Sequence, residues 1–341
     1  MTVRLAASGK LFLAGEYAVL DPGRPALVVG IDWKMHAVAE PGASGLQILH
    51  RPSGLLWDGG QAPAELRFAV RAAVLAMGFC GKAGGVRISF EDDLSHGGRK
   101  LGLGGSAAAS VLAVRAVCAL ADRRGGEEEI LALAAAAHWA EQGGSGSGAD
   151  VAAAALGGIL EVRSRIAWQS AEEVMVLPAD RIAASRPLEV RRVAAPPELR
   201  LLLVDTGAPA NTRFLVREVR VFARGAAARW QARAGEISAA EGKLRDALES
   251  RDAQSALDAV RRGAAAMAAL GEDAGVPIVT PELAKACALA SAAGAAGKPS
   301  GAGGGDCAVV LAFGDEARDR AEAALRPHFP VFRVSPGGLR D

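Results

Sequence analysis

No long run of like charge, no paired-cysteine motif and no bilayer-length apolar stretch occurs in this chain of 341 residues. Lysine and arginine total 39 against 38 aspartate and glutamate, a formal net charge of +1. Such balance argues against nucleic acid or an anionic membrane as partner and leaves any polyanionic ligand to local charges and amides. Cys80, Cys118, Cys287 and Cys307 are scattered without Cys-x-x-Cys spacing, the pattern of reduced packing thiols in a cytoplasmic protein. Arg4, Lys10 and Glu16 interrupt the place of a signal peptide's apolar core, so export and membrane insertion are not expected. A Walker A motif is also missing, because Gly294 to Ser300 offers Gly-Lys with proline next and the wrong glycine spacing. The protein-kinase motif set is absent too.

Half of the residues are apolar, enough for a sizeable core. Two lobes are expected, 1–196 and 197–341, parted near Pro196-Pro197 in a charged, irregular stretch. Alanine is abundant and blurs helix ends. Val3 to Ala7 and Leu11 to Ala14 read as two strands joined by a tight turn that holds Lys10. Ala26 to Ile31 and Trp33 to Ala39 read as further strands, Ala64 to Met77 as a helix closed by Gly78, and Val174 to Leu177 as a strand. Long helices are expected from Arg213 to about Ser250 and from Asp252 to Leu270, with a βαβ-like unit at the C-terminal end.

Three glycine segments stand out. The first, Leu101 to Ser110, runs into an apolar helix ending near Arg123. Its glycines, Gly102, Gly104 and Gly105, allow backbone N–H groups to close around an anion at a helix N-terminus, and Ser106 adds a hydroxyl suited to a phosphate oxygen or Mg²⁺. Gly102-x-Gly104-x-x-Ala107 also fits a dinucleotide fingerprint, but no apolar strand precedes it and Asp122 falls inside the helix. A bare glycine turn is the remaining alternative. The second segment, Gly143 to Asp150, ends on an acidic residue at the start of an Ala-rich helix. Asp150 serves there either as an N-cap or as a general base. The third, Lys298 to Cys307, leads into a strand. His138 and Glu141, one turn apart, lack the third ligand that a metal site would need.

Together these residues supply a phosphate loop, a candidate base in Asp150, a candidate cation in Lys10 and a second close-approach loop. Phosphoryl transfer asks mainly for in-line positioning and charge neutralisation, so the inventory suits it.

The chain resembles the GHMP kinase superfamily, and within it the phosphomevalonate branch. Gly9-Lys10-Leu11-Phe12-Leu13-Ala14-Gly15-Glu16-Tyr17-Ala18-Val19-Leu20 is similar to the family's N-terminal motif. Leu101 to Ala108 matches its phosphate loop, Gly146 to Ala153 its acidic motif, and Lys298 to Cys307 its C-terminal loop. Thr206-Gly207 through Thr212, with Leu215-Val216, is similar to a segment typical of that branch. The resemblance implies an α+β, two-lobed fold, with an N-terminal mixed sheet and helices and a C-terminal ferredoxin-like α/β sandwich. It implies an ATP-dependent phosphotransferase that uses Mg²⁺ and mevalonate 5-phosphate in isoprenoid biosynthesis, as a monomer or homodimer. By the same resemblance Lys10 and Asp150 flank the transferred group. Gly102, Leu103, Gly104, Gly105, Ser106, Ala107 and Ala108 hold ATP phosphates, with Ser106 near Mg²⁺. Tyr17, Ser147, Ser300, Gly301, Ala302 and Gly303 lie near the acceptor. Two departures stand out: Gly105-Ser106 replaces paired serines, and Asn211 stands where serine is usual. Glu141 or Gln142 occupies the region of a second acidic Mg²⁺ ligand in some relatives. The alternatives are a sister kinase acting on an alcohol, such as a mevalonate kinase, and a non-catalytic ligand sensor of the same fold.

Overall fold

The computed structural model describes residues 2–81, 85–121, 123 and 125–337. Asp122 lies outside them. The chain opens with β1 (Val3–Ala14), a 3-10 turn (Ala18–Leu20) and β2 (Pro25–Pro41), then β3 (Leu46–His50), β4 (Leu55–Trp57), α1 (Arg67–Cys80) and β5 (Val86–Phe90). A small ribbon, β6 (Ser95–His96) and β7 (Arg99–Lys100), precedes α2 (Gly105–Leu120), α3 (Glu127–Glu141), α4 (Ala149–Leu156) and β8 (Gly158–Ser164). Next come α5 (Ala171–Val176), α6 (Ala179–Ala183) and β9 (Leu188–Arg192). The second half contains β10 (Leu199–Asp205), α7 (Thr212–Gly225), α8 (Ala227–Ser250), α9 (Ala253–Ala274) and α10 (Pro281–Ala292). It closes with β11 (Ala296–Pro299), β12 (Cys307–Phe313), α11 (Asp315–Leu325) and β13 (Val331–Val334).

The first sheet is mixed. Its order is β4-β3-β5-β2-β8-β9, with β1 on the opposite edge of β2. Only the β3–β5 pair is parallel. The second sheet, β11-β12-β10-β13, is antiparallel throughout, so β12, α11 and β13 form a crossover around β10. This is the ferredoxin-like arrangement. The unbroken apolar run of β10 follows from cover on both faces. Leu201 and Leu203 join the large core shared with the first sheet, whereas Leu202 and Val204 face α10 and α11. That large core also takes Leu244 and Leu248 of α8 and Leu257 and Val260 of α9. Between the halves, Glu16 and Lys298 form an ion pair, 3% and 1% exposed at their side chains. No helix among the described residues is long and apolar enough to cross a membrane.

Several sequence expectations are corrected here. Val3 to Ala14 is one strand, because a register shift at Ser8/Gly9 bends it without ending it, and Lys10 pairs with Gly30 in mid-strand. The two runs around Asp32 are likewise one strand, β2. Gly78 is inside α1, which continues to Cys80 and ends on left-handed Gly81, whose N–H donates to the Met77 carbonyl. Val174 lies in a helix, since Ser170 Oγ accepts from the Glu173 N–H and two glutamates sit in the first turn. The helix expected from Arg213 to Ser250 breaks at Ala226, and α2 stops at Leu120 rather than near Arg123.

Candidate active site

Leu101 and Leu103 are buried and pin the glycine loop to the body of the protein. The residues between and after them stay at the surface of a cavity of about 960 Å³, the scale of a pocket for a nucleotide-sized ligand. Lys10 binds the loop twice: its N–H donates to the Leu103 carbonyl at 2.8 Å and its Nζ to the Gly102 carbonyl at 2.6 Å. Gly104, at φ 83°, caps α2. A Cβ there would sit 2.8 Å from Lys10 Cγ, and one on Gly102 would sit 2.6 Å from Asp306 Oδ2. Only glycine lets the loop pass between Lys10 and Asp306. The opening amides of α2 have no helical carbonyl to donate to, and the helix dipole adds partial positive charge at the same end.

Ser106, in the first turn of α2, lines the cavity and places Oγ 3.0 Å from His138 Nε2. His138 is buried, and burial holds its imidazole below the ordinary histidine range, so the ring is neutral at physiological pH. Asp150, in the first turn of α4, has Oδ2 3.7 Å from the same Nε2, while Oδ1 accepts from the Val151 N–H. Two helix starts, α2 and α4, therefore deliver Ser106 and Asp150 to one end of the cavity beside a buried imidazole.

The rest of the lining comes from β1, the turn that follows it and the third glycine segment. Tyr17 has its backbone at φ 60°, strain of roughly 1–3 kcal/mol that persists only where surroundings impose it. Its hydroxyl donates to the Ala302 carbonyl at 2.5 Å, and burial raises its phenol well above the usual range, keeping it a neutral donor. Ser300 Oγ accepts from the Phe12 N–H at 2.9 Å. Asp306 Oδ1 accepts from the Ala210 N–H, and burial raises this carboxyl.

Lys10, Tyr17, Gly102, Leu103, Gly104, Gly105, Ser106, Ser147, Asp150, Ser300, Gly301 and Ala302 all border the one cavity. Three expected residues do not. Ala107 and Ala108 are fully buried within α2, and Gly303 packs on Ile278, whose carbonyl a Cβ would meet at 2.1 Å.

Glu141 is not directed at a ligand, since Arg71 and Arg67 engage its carboxylate, and Gln142 takes the position facing the cavity. No cluster of three or more His, Cys, Asp or Glu suited to a metal occurs among the described residues. Mg²⁺ seldom needs one, because it keeps waters and is held by one or two protein oxygens plus substrate phosphates. Ser106 Oγ and the Asp150 carboxylate fit that sparse donor set. Sequence reasoning gave His138 no role toward Ser106, since the two are 32 positions apart and only the α2–α3 packing joins them. It also gave no role to Arg213, Arg217, Arg220 and Arg224 of α7, which border the cavity. Their recurrence on one helix face was the available signal.

Two family profiles match the chain: the GHMP kinases N terminal domain over residues 67–158 and the GHMP kinases C terminal over residues 244–331. A phosphomevalonate kinase from Streptomyces sp. (strain CL190) is 36% identical, covering 92% of this chain and 90% of that protein. Among solved structures, Streptococcus pneumoniae phosphomevalonate kinase in complex with phosphomevalonate and AMPPNP superposes with a TM-score of 0.87 at 21% identity, over 98% of this chain and 100% of that one. L. major mevalonate kinase in complex with R-mevalonate gives a TM-score of 0.71 at 21% identity, over 99% and 97% of the two chains. With a glycine loop at the start of α2, an acidic residue at the start of α4 and a relative at this identity over nearly its whole length, the chain belongs to the GHMP kinases, on the phosphomevalonate kinase branch.

Proposed function

We propose that this chain transfers the terminal phosphoryl group of Mg-ATP to the phosphate of mevalonate 5-phosphate. An acceptor phosphate oxygen forms the new P–O bond as the bond from the γ-phosphorus to the β,γ-bridging oxygen breaks, giving mevalonate 5-diphosphate and ADP. The observation that carries this reading is the relationship to a phosphomevalonate kinase over almost the full chain, together with Lys10 clasped to the phosphate loop in the cavity.

In this reading the Gly102–Ser106 loop and the α2 amides hold the nucleotide phosphates. Lys10 neutralises charge on the travelling group, fixed in place by the loop carbonyl it binds. Bound Mg²⁺ supplies further neutralisation of phosphate charge, and Ser106 and Asp150 would hold it. Tyr17, Ser147, Ser300, Gly301 and Ala302 form the acceptor wall. A phosphate acceptor has a second pKa of about 6 and arrives mostly ionised, so it asks little of a base. Asp150 therefore acts chiefly by orienting and by electrostatics. A panel of acceptors assayed with Mg-ATP tests the reading: turnover of mevalonate without turnover of mevalonate 5-phosphate would replace it with an alcohol kinase. Acceptor-dependent ADP release separates either enzyme from a sensor.

A further inference from the structure

Helix α7 shares a hydrophobic cluster with Tyr17 through Leu215 and Val219, with Ala302 packed against it. It thus stands beside the Tyr17–Ala302 hydrogen bond. Arg213, Arg217, Arg220 and Arg224 recur along it at steps of four, three and four. That spacing gathers them within about 60° of arc, on the side of the helix away from Leu215 and Val219. All four border the cavity. Arg217 has an exposed partner in Glu218, whereas Arg213, Arg220 and Arg224 have no ion-pair partner among the described residues. Arg220 is half-buried, and its guanidinium is disfavoured first by burial and then by the charge of Arg224. Like charges one turn apart destabilise a helix. An anion lying along this face relieves both the repulsion and the desolvation.

We propose that the arginine face of α7 is the anion-binding rim of the acceptor subsite, taking a small ligand that carries both a phosphate and a carboxylate. The inference rests on the substrate reading above and extends it to residues outside the glycine motifs. The nucleotide phosphates have the α2 loop as their seat. The arginines line the same cavity from α7, whose Leu215 and Val219 face packs with Tyr17 and Ala302. Guanidinium forks bind carboxylate and phosphate in a bidentate manner, so a row of them suits an acceptor with two separated anionic groups.

The test uses the full chain with Arg220→Gln, Arg220→Lys and the double variant Arg220→Gln/Arg224→Gln. Steady-state kinetics with mevalonate 5-phosphate and Mg-ATP should show the KM for the acceptor rising about tenfold or more in the double variant. The KM for ATP should move less than about twofold, and Arg220→Lys should restore part of the loss. The acceptor's kcat/KM should also lose part of its dependence on ionic strength. An acceptor KM in the double variant unchanged from that of an active wild type, or a rise in the ATP KM alone, overturns the arginine rim and leaves the substrate reading standing. A wild-type chain that does not phosphorylate mevalonate 5-phosphate overturns both. Thermal melts within a few degrees of wild type show that the variants fold.

Discussion

Ser106 Oγ lies 3.0 Å from His138 Nε2, a hydrogen bond that ties the first turn of α2 to the last turn of α3. The histidine is neutral, because burial lowers its pKa, and its position fixes the Ser106 hydroxyl that borders the cavity. His138→Ala should therefore lower kcat by roughly 10- to 100-fold, the range seen when a partner that orients a ligating group is lost. His138→Asn, which keeps a polar partner, should recover part of the rate. Measuring kcat of wild type and both variants at about pH 8, where the acceptor phosphate is ionised, provides the check. A full wild-type rate in His138→Ala would show that Ser106 needs no such support.

Asp150→Asn should reduce kcat by about 100-fold, the lower end of the range of roughly 10² to 10⁴ for a general base. The acceptor is mostly ionised before it binds, which keeps the effect at that end. Lys10→Glu should be more damaging than Asp150→Asn, since it removes the clasp on the Gly102 carbonyl and brings an anion against the phosphate loop. Single-turnover measurements with saturating Mg-ATP compare the two, and a near-normal Asp150→Asn rate removes that residue from the mechanism.

Glu16 and Lys298 are nearly inaccessible and pair across the two halves, with Lys298 Nζ also donating to the Pro299 carbonyl at 2.6 Å. Removing one partner leaves the other charge buried and unpaired, at a cost of about 3–5 kcal/mol. Glu16→Gln or Lys298→Met should each lower the denaturation midpoint clearly. The double replacement should lose less than the sum of the two, and urea titration of the three variants makes that comparison.

Glu241 of α8 is 1% exposed, one carboxyl oxygen has no hydrogen-bond partner, and burial, with Glu161 nearby, pushes its pKa up from 4.5 to about 7. A carboxyl raised on folding contributes stability that is complete below its unfolded pKa and is lost as pH rises through its folded one. Stability should fall between about pH 4.5 and 7 from this group and level off above, by on the order of 2–3 kcal/mol. Glu241→Gln should flatten that decline, so the variant gains melting temperature over wild type at about pH 8 and little at pH 5. Equal gains at both values would assign the effect to something other than titration.

The glycine segments were readable because a left-handed turn into a helix demands glycine at fixed local positions, and Gly102 and Gly104 carry that demand at the start of α2. The pairing of Tyr17 with Ala302 was not legible from local pattern, since the two meet only through long-range packing. His138 looked like an ordinary residue of an Ala-rich helix, for its meaning depends on α3 lying against α2. Strand continuity was lost for a physical reason. Ser8, Gly9 and Asp32 read as turn chemistry, yet the sheet absorbs Ser8 and Gly9 as a bulge and carries Asp32 within β2. Val174 misled by β-propensity, which the Ser170 cap overrode.

The large apolar cluster does not respect the change from one sheet to the other: Leu11 and Val29 share it with Leu203, Leu248 and Val309. Severing the backbone near Pro196-Pro197 would consequently yield two fragments with sticky, complementary flanks rather than two independent modules. Co-expressed, such pieces would have every reason to find each other, and kinase activity would return only with their reunion.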